Sequence, residues 1–188
     1  MPISTSDEID SHWMRLALYQ ARKGLGRTHP NPSVGCVIVK NNRILAASHT
    51  GDGGRPHAET EALRIAGARA KGATAYVTLE PCNHQGQTPP CTHALVQAGI
   101  SRVVVGCKDI APNVDGAGIK YLKSHGIDVS EDILKSECEN IVSGFFLAIR
   151  ENRPLVSLKI ATTLDGKIAT SQGESKWITG DLARRYAH

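Results

Sequence analysis

The stretch that decides the fold of this chain opens with Pro56-His57-Ala58-Glu59 and closes with Glu80-Pro81-Cys82-Asn83-His84-Gln85-Gly86-Gln87-Thr88-Pro89-Pro90-Cys91. The first motif ends a Gly-rich loop and begins a predicted helix. The second motif joins the end of a β-branched predicted strand to the start of the next helix. This alternation of helix and strand predicts an α/β domain.

Hydrophobic periodicity and turn residues predict five strands and five helices in the first 150 residues. The strands are residues 34–39, 43–48, 74–79, 102–107 and 127–130, and the helices are residues 7–24, 58–70, 90–98, 119–124 and 132–150. Thr5 and Glu8 have the spacing of a capping box at the start of the first helix. Because a hairpin precedes the alternating elements, residues 1–150 are predicted to form one domain, a mixed five-stranded sheet with helices on both faces.

The pattern restarts at Arg153-Pro154. Residues 155–161 are predicted to form a strand, residues 164–167 a turn and residues 179–188 the first turns of a helix. A segment of this length cannot bury a core of its own. Residues 151–188 are therefore predicted to be the start of a second domain whose remainder is absent.

Composition excludes several classes of function. Of the 188 residues 40% are apolar, yet no apolar run approaches the about 18 residues that span a bilayer. The N-terminus has no basic region and no apolar core, so we expect no secretory signal and a cytoplasmic location. Five cysteines in such a chain favour metal or thiol chemistry over disulfides. The net charge of +4 comes from scattered Lys and Arg, which predicts no nucleic-acid surface and suits a small phosphorylated substrate.

His57, Cys82 and Cys91 are three side chains of the kinds that zinc prefers. A catalytic zinc site keeps three protein ligands and leaves the fourth position for water or substrate. Cys82 follows a predicted strand and Cys91 lies in the first turn of a predicted helix, where backbone amides and the helix dipole lower the pKa of a thiol. These residues predict one catalytic zinc ion per chain.

Glu59 is the predicted proton carrier of this site. It follows His57 by two residues, which would place the two side chains about 200° apart on a regular helix. At a helix N-terminus the first residue can be non-helical, so both side chains can face one cavity. Glu59 would then act as general acid and base, taking a proton from water and delivering it to a leaving amine.

The residues alone leave two alternatives to a catalytic site. His84 and His93 each follow a cysteine by two residues, so they could join Cys82 and Cys91 in a closed structural site, although that spacing is unusual and leaves the first motif unexplained. The cysteines could also be buried and inert. Inertness is the favoured interpretation for the three cysteines inside predicted strands or helices, Cys36, Cys107 and Cys138.

With these motifs in place, the chain resembles the zinc-dependent nucleoside deaminases, whose signature is His-x-Glu followed by Pro-Cys and a second Cys. The eight residues between the two cysteines make the second motif similar to that of the bifunctional riboflavin-biosynthesis deaminase–reductases, the RibD (RibG) family. The similarity includes Pro30-Asn31-Pro32-Ser33-Val34-Gly35, Leu164-Asp165-Gly166-Lys167-Ile168-Ala169 and Ser175-Lys176-Trp177-Ile178-Thr179. It covers nearly the whole chain.

The resemblance implies a cytidine-deaminase-like three-layer fold, followed by the start of a second α/β domain, the reductase. The implied reaction is the hydrolytic deamination of 2,5-diamino-6-ribosylamino-4(3H)-pyrimidinone 5′-phosphate to the corresponding 2,4-pyrimidinedione and ammonia, with Glu59 as the proton shuttle. The implied zinc ligands are His57, Cys82 and Cys91.

The resemblance also implies contacts with small molecules. Asn31 and His84 match positions that contact the pyrimidine substrate. In the reductase part, Ala161 and Trp177 match positions that meet NADPH, and Ser175 matches one that meets the sugar. A homo-oligomer is compatible with the family, and no membrane or nucleic-acid partner is implied.

Three departures from the family pattern concern substrate and cofactor. Gln87 stands where the family usually has Lys or Arg, a cation suited to the substrate phosphate, so Arg55, Lys108 or another group would have to replace it. Residues 109–114 depart from the usual Asp-Pro-Asn-Pro of the loop expected over the pocket. Because the reductase part stops at His188, residues 1–188 alone are not expected to reduce the product with NADPH.

Two other functions are alternatives to the riboflavin-pathway deaminase. One is a deaminase of another base, such as a tRNA adenosine deaminase, which the long spacing between the cysteines and the scattered basic residues disfavour. The other is a zinc-stabilised binding module without catalysis, which the loss of the family cation at Gln87 suggests. Zinc content measured together with a substitution of Glu59 separates a module from an enzyme.

Overall fold

The computed structural model describes residues 6–187 except 112, 113 and 115. It divides the chain into two compact units, residues 1–154 and residues 155–188. Thr5 of the predicted capping box lies outside the described residues. Within the described part, no helix is both long and apolar enough to cross a membrane.

The first unit is built on one mixed sheet of five strands. Their order across the sheet is β2-β1-β3-β4-β5. The strand β1 is antiparallel to both of its neighbours, whereas β3, β4 and β5 run parallel. This sheet confirms the predicted fold class. The strands are β1 Gly35–Lys40, β2 Arg43–His49, β3 Thr74–Leu79, β4 Arg102–Cys107 and β5 Asp128–Ser130.

Helices cover both faces of this sheet. The helix α1 packs against β1, β2 and β3 and contacts α5, whereas α2 packs against β1 and β2 and contacts α3, which in turn contacts α4. The approach of α1 is close at Gly35, where an added Cβ would stand 1.9 Å from Ala17 O. The helices of the first unit are α1 Ser6–Gly24, α2 Ala58–Ala66, α3 Cys91–Gln97, α4 Ala117–Ser124, α5 Lys135–Ile141 and α6 Ser143–Glu151, and the second unit contains α7 Asp181–Ala187.

A buried ion pair joins α1 to the middle of the sheet. Asp10 is 2% exposed and accepts two hydrogen bonds from the Arg102 guanidinium, at 2.8 Å and 2.7 Å. The Tyr76 hydroxyl donates a third bond to Asp10, at 3.1 Å. Because the carboxylate is paired and hydrogen-bonded, its burial is compensated, and the charged pair ties α1 to β3 and β4.

The predicted helix over residues 132–150 is wrong as a single element. Asp132 and Leu134 have positive φ angles, so α5 begins only at residue 135. The chain leaves helical geometry again at Val142, and the Ser143 hydroxyl donates to Asn140 O, a side-chain bond of the kind that competes with helix continuation. Two short helices, α5 and α6, replace the predicted one.

The predicted strand over residues 155–161 is also wrong. These residues have no regular secondary structure, and Val156 and Leu158 are each 82% exposed. A strand requires a neighbour that pairs with its backbone N–H and C=O groups, and the described residues of the second unit contain no strand that could be that neighbour. The β-branched residues of this segment favour a strand, but no strand forms because no neighbouring strand pairs with it.

Candidate active site

The predicted site residues lie where one strand end meets two helix starts. His57 is the N-cap of α2 and has extended backbone angles, with φ −66° and ψ 152°. Glu59 follows in the first turn of α2. Cys82 lies just beyond the end of β3, and Cys91 is the first residue of α3. The sheet therefore brings two distant motifs to one point.

His57, Cys82 and Cys91 form a cluster whose ligand atoms all lie within 4.8 Å of one another. His57 Nδ1 is 3.2 Å from Cys91 Sγ and 3.7 Å from Cys82 Sγ. Zn–S bonds of about 2.3 Å and a Zn–N bond of about 2.0–2.1 Å at tetrahedral angles would separate such atoms by about 3.6–3.8 Å. The donor types and their spacing fit a zinc ion held by three protein ligands.

Hydrogen bonds within the cluster shift the pKa values of the two thiols in opposite directions. The bond from Cys91 Sγ, followed by the bonds from His57 and from the Cys91 backbone N–H, lowers the pKa of Cys82 to about 4. The bond with Cys82 and then burial raise the pKa of Cys91 well above its usual range. Two adjacent thiolates repel each other, and a bound dication supplies the charge that stabilises both. This electrostatic arrangement favours cation binding.

Glu59 is buried, with 4% of its surface exposed, and lines the same cavity as His57 and Cys82. Burial, and then the charge of Cys82, raise the pKa of Glu59 to about 7. The extended backbone of His57 is what allows the two side chains, which a regular helix would direct apart, to share this cavity. The carboxyl group thus lies where it can exchange protons with a molecule bound beside the cluster.

The cavity has a volume of about 260 Å³ and lies at the carboxyl ends of β3 and β4. Both polar residues predicted to contact substrate, Asn31 and His84, line it. Asp109, Ala111 and Val114 of the predicted loop line it as well, whereas residues 112 and 113 of that loop lie outside the described part. A cavity of this size suits a small molecule.

Asn31 is fixed beside His57 by the loop that precedes α2. Its Nδ2 donates a 2.8 Å hydrogen bond to Gly54 O and lies 3.3 Å from His57 Nε2. Gly54 has φ +86°, and an added Cβ would stand 2.8 Å from Thr28 O and 2.9 Å from Asn31 Nδ2. Glycine at this position allows the approach that orients the Asn31 carboxamide.

Sequence reasoning missed the role of Glu80, a buried carboxylate directly after β3. Its two oxygens accept four backbone N–H bonds, at 3.0–3.3 Å, from the segment before α4 and the first turn of that helix. Burial raises the pKa of Glu80, and these four bonds oppose the rise. The only available signal was the acidic residue at a strand end. The four donors are Asp109, Gly116, Gly118 and Ile119.

The alternative of a closed Cys/His site is wrong. Among the described residues, the cluster that could hold a metal contains His57 instead of His84 or His93. The His93 ring stacks on Tyr121, with centroids 4.6 Å apart. The three cysteines expected to be inert are buried, and burial is the first cause that raises the pKa of each, which favours the unreactive thiol. They are Cys36, Cys107 and Cys138.

In the second unit, two of the three predicted residues lie together. Ser175 and Trp177 line one surface depression of the described residues, which Ala161 does not line. The Trp177 ring is 71% exposed, and the Arg184 guanidinium lies 4.0 Å from its centroid. The described part of this unit therefore presents an exposed aromatic ring with a hydroxyl group in the same depression.

Comparison with known proteins places the whole arrangement in a family. Residues 7–107, more than half of the chain, match the cytidine and deoxycytidylate deaminase zinc-binding region. The chain therefore belongs to this family of zinc-binding deaminases, and its fold is the predicted three-layer one. Residues 154–188 match the RibD C-terminal domain, and the combination of the two places the chain in the RibD branch.

The similar proteins are about twice as long as this chain. It is 49% identical over 181 residues to the riboflavin biosynthesis protein RibD of Aquifex aeolicus (strain VF5), covering 96% of this chain and 51% of that protein. It is 50% identical over 176 residues to RibD of Escherichia coli (strain K12), covering 94% and 48%.

A crystal structure from Thermotoga maritima matches with a TM-score of 0.87 at 43% identity, covering 97% of this chain and 53% of that chain. That protein is described as a diaminohydroxyphosphoribosylaminopyrimidine deaminase/5-amino-6-(5-phosphoribosylamino)uracil reductase. The matched region includes residues of both units of the chain.

Proposed function

We propose that the chain catalyses the hydrolytic deamination of 2,5-diamino-6-ribosylamino-4(3H)-pyrimidinone 5′-phosphate. Water replaces the 2-amino group, which gives 5-amino-6-ribosylamino-2,4-pyrimidinedione 5′-phosphate and ammonia. The observation that carries the proposal is one cavity lined by a His/Cys/Cys cluster and a buried glutamate. The similar proteins with a RibD name or a deaminase/reductase description support the choice of substrate.

In the proposed reaction, His57, Cys82 and Cys91 hold the zinc ion. When bound, zinc supplies a Lewis acid that activates water at neutral pH. Glu59 accepts the proton that the water loses and returns it to the departing amine, so that ammonia leaves as a neutral molecule. The buried position of Glu59 keeps its proton exchange within the cavity instead of with bulk solvent.

Asn31 and His84 position the pyrimidinone in this proposal. The bond from Asn31 Nδ2 to Gly54 O fixes the carboxamide, whose oxygen can then accept an N–H of the ring. His84 belongs to the exposed loop after Cys82 and lines the cavity from its outer side. A fixed acceptor deep in the site and a polar group near its mouth would orient the exocyclic amine toward the cluster.

The second unit has a separate proposed role. Its match to the RibD C-terminal domain supports NADPH-dependent reduction of the ribosyl group in the longer proteins of this branch. Trp177 and Ala161 would contact NADPH there, and Ser175 the sugar. We expect no NADPH oxidation coupled to ribose reduction from purified residues 1–188 alone.

Cellular context follows from the proposed chemistry. The site needs Cys82 and Cys91 as free thiols, and all five cysteines of the chain are free. A cytoplasmic location, in which thiols stay reduced, suits this requirement. The proposed partner is the small phosphorylated pyrimidine, and a homo-oligomer remains a prediction from the family resemblance.

The direct test measures ammonia release from the diaminopyrimidinone phosphate by the purified chain after its zinc content has been determined. Release by the wild-type protein and none by Glu59→Ala at equal zinc content is the expected result. One zinc per chain without release from this substrate would instead support the zinc-stabilised binding module. Release from an adenosine-containing tRNA in place of the pyrimidinone would favour the other deaminase class.

A further inference from the structure

The cavity contains the side chain of Arg55, one of the candidates that the sequence leaves open for binding the substrate phosphate. Among the described residues that line it, Arg55 is the single Lys or Arg. Arg55 lies in the loop that precedes α2, two residues before His57, and its side chain is half-buried. The Arg55 guanidinium thus shares one cavity with the metal cluster, where it can meet an anionic group of a bound molecule.

The Arg55 guanidinium is held in place by the loop between the two cysteines. Its Nη1 donates a 2.7 Å hydrogen bond to Thr88 Oγ1. Its Nη2 lies 3.5 Å from the position of an added Cβ at Gly86, which is ordinary contact distance. The side chain therefore joins the loop before α2 to the loop between the two cysteines.

This guanidinium also keeps donors available. A guanidinium has five N–H groups in a planar fork, and the bond to Thr88 uses one of them. Within the described part of the chain, Arg55 has no carboxylate at ion-pair distance, unlike Arg27, Arg64 and Arg102. An arginine that is oriented by a neutral hydroxyl and not neutralised by a carboxylate is well suited to bind an oxyanion in bidentate geometry.

The other two candidates for this task lie elsewhere. Gln87 is uncharged and exposed, and it does not line the cavity. Lys108 does not line it either, because its side chain lies over Gly116, where an added Cβ would stand 2.9 Å from Lys108 Cε. The position of its side chain thus favours Arg55 over Gln87 and Lys108 as the group that binds phosphate.

We propose that Arg55 binds the 5′-phosphate of the substrate, with the Thr88 hydroxyl orienting the guanidinium and contributing a further hydrogen bond. This assignment rests on the proposed deamination of a phosphorylated pyrimidine. In this role Arg55 selects the nucleotide over the dephosphorylated nucleoside, and the cation that binds phosphate lies in the loop before α2 instead of at position 87.

The test compares kcat/KM for the phosphorylated substrate and for its dephosphorylated ribosyl form in wild type, Arg55→Gln and Lys108→Gln. Charge-assisted hydrogen bonds of this kind predict a loss of about 10- to 100-fold in Arg55→Gln with the phosphorylated substrate. Activity on the dephosphorylated form should stay within about 3-fold, because that substrate lacks the phosphate group that Arg55 is proposed to bind. Lys108→Gln should match the wild type on both substrates.

Several results would overturn the assignment. Equal losses on both substrates in Arg55→Gln would mean that the arginine positions the loop before His57 and does not bind phosphate. An unchanged preference in Arg55→Gln, or a lost preference in Lys108→Gln, would place the phosphate elsewhere.

A binding measurement separates this inference from the proposed function. Ribose 5-phosphate titrated into the zinc-loaded protein should bind the wild type at least about 10-fold more tightly than Arg55→Gln. Absence of ammonia release by the wild type, together with this difference in binding, would contradict the proposed reaction and keep the phosphate site. Equal binding by the two proteins would refute the phosphate site whether or not ammonia is released.

Discussion

Two buried glutamates at the same end of the sheet have opposite surroundings. Glu59, in the first turn of α2, is 4% exposed, and Glu80, just after β3, is 3% exposed. Glu80 accepts four backbone N–H bonds and ties the start of α4 to the strand end. Both glutamates line the cavity, but Glu59 is the one whose pKa is shifted by the charges of Cys82 and His57 in the metal cluster. Two equally buried glutamates thus have different roles: Glu80 stabilises the fold, and Glu59 is placed to transfer protons.

The pKa shifts of the two glutamates also differ in their causes. Burial raises the pKa of both carboxyl groups. Four hydrogen bonds to the charged form oppose this rise at Glu80 and favour a fixed carboxylate. At Glu59 the charge of Cys82 adds to burial and brings the pKa to about 7, which suits a group that both accepts and donates a proton.

The largest expected effect belongs to the cluster beside Glu59. Cys91→Ser removes one of three ligands, and we expect zinc and deaminase activity to be lost together, because a hydroxyl is a poor zinc ligand at neutral pH. Metal analysis and ammonia release on the same sample check this result. Full zinc content in Cys91→Ser would remove Cys91 from the proposed ligand set.

The second effect isolates the chemistry. Glu59→Gln should keep one zinc per chain and reduce turnover by at least about 100-fold, the usual contribution of a general acid and base. Gln has nearly the same volume and removes a buried charge, so the free energy of unfolding should not fall. Glu61→Gln, the same substitution two residues along α2, is the control, and its exposed pair with Arg64 predicts little change in either property.

The smallest effect on turnover is expected at Glu80. Glu80→Gln places an amide against backbone donors and should lower the free energy of unfolding by about 1–3 kcal/mol, the cost of leaving buried donors without partners. Denaturant unfolding measures this loss. Zinc content and turnover should stay within about tenfold of the wild type at temperatures where the variant is folded. A large loss of turnover in Glu80→Gln without a loss of stability would contradict the structural role of Glu80 and make it, like Glu59, a residue of the reaction.

The sequence predicts the parts of the molecule that depend on local pattern. The strands β3 and β4 have the bounds that their β-branched runs indicate. The residue types of His57, Cys82 and Cys91, together with their places at helix starts and a strand end, are enough to anticipate that they meet. These features need only the neighbouring residues and the ligand preferences of zinc.

The features that the sequence does not predict depend on distant or strained backbone. The donors that surround Glu80 lie 29 to 39 residues further along the chain and are main-chain groups without a side-chain signature. Positive φ angles at Asp132 and Leu134, which are not glycines, shift the start of α5. Residues 155–161 have the β-branched composition of a strand, but the prediction was wrong because a strand also needs a pairing partner.

The most direct test of the account measures zinc content and ammonia release in parallel for the wild type, Glu59→Gln and Glu80→Gln. The account predicts one zinc per chain in all three, with turnover lost by at least about 100-fold in Glu59→Gln alone. Near-full turnover by zinc-loaded Glu59→Gln would contradict it, because the proton would then travel by another route.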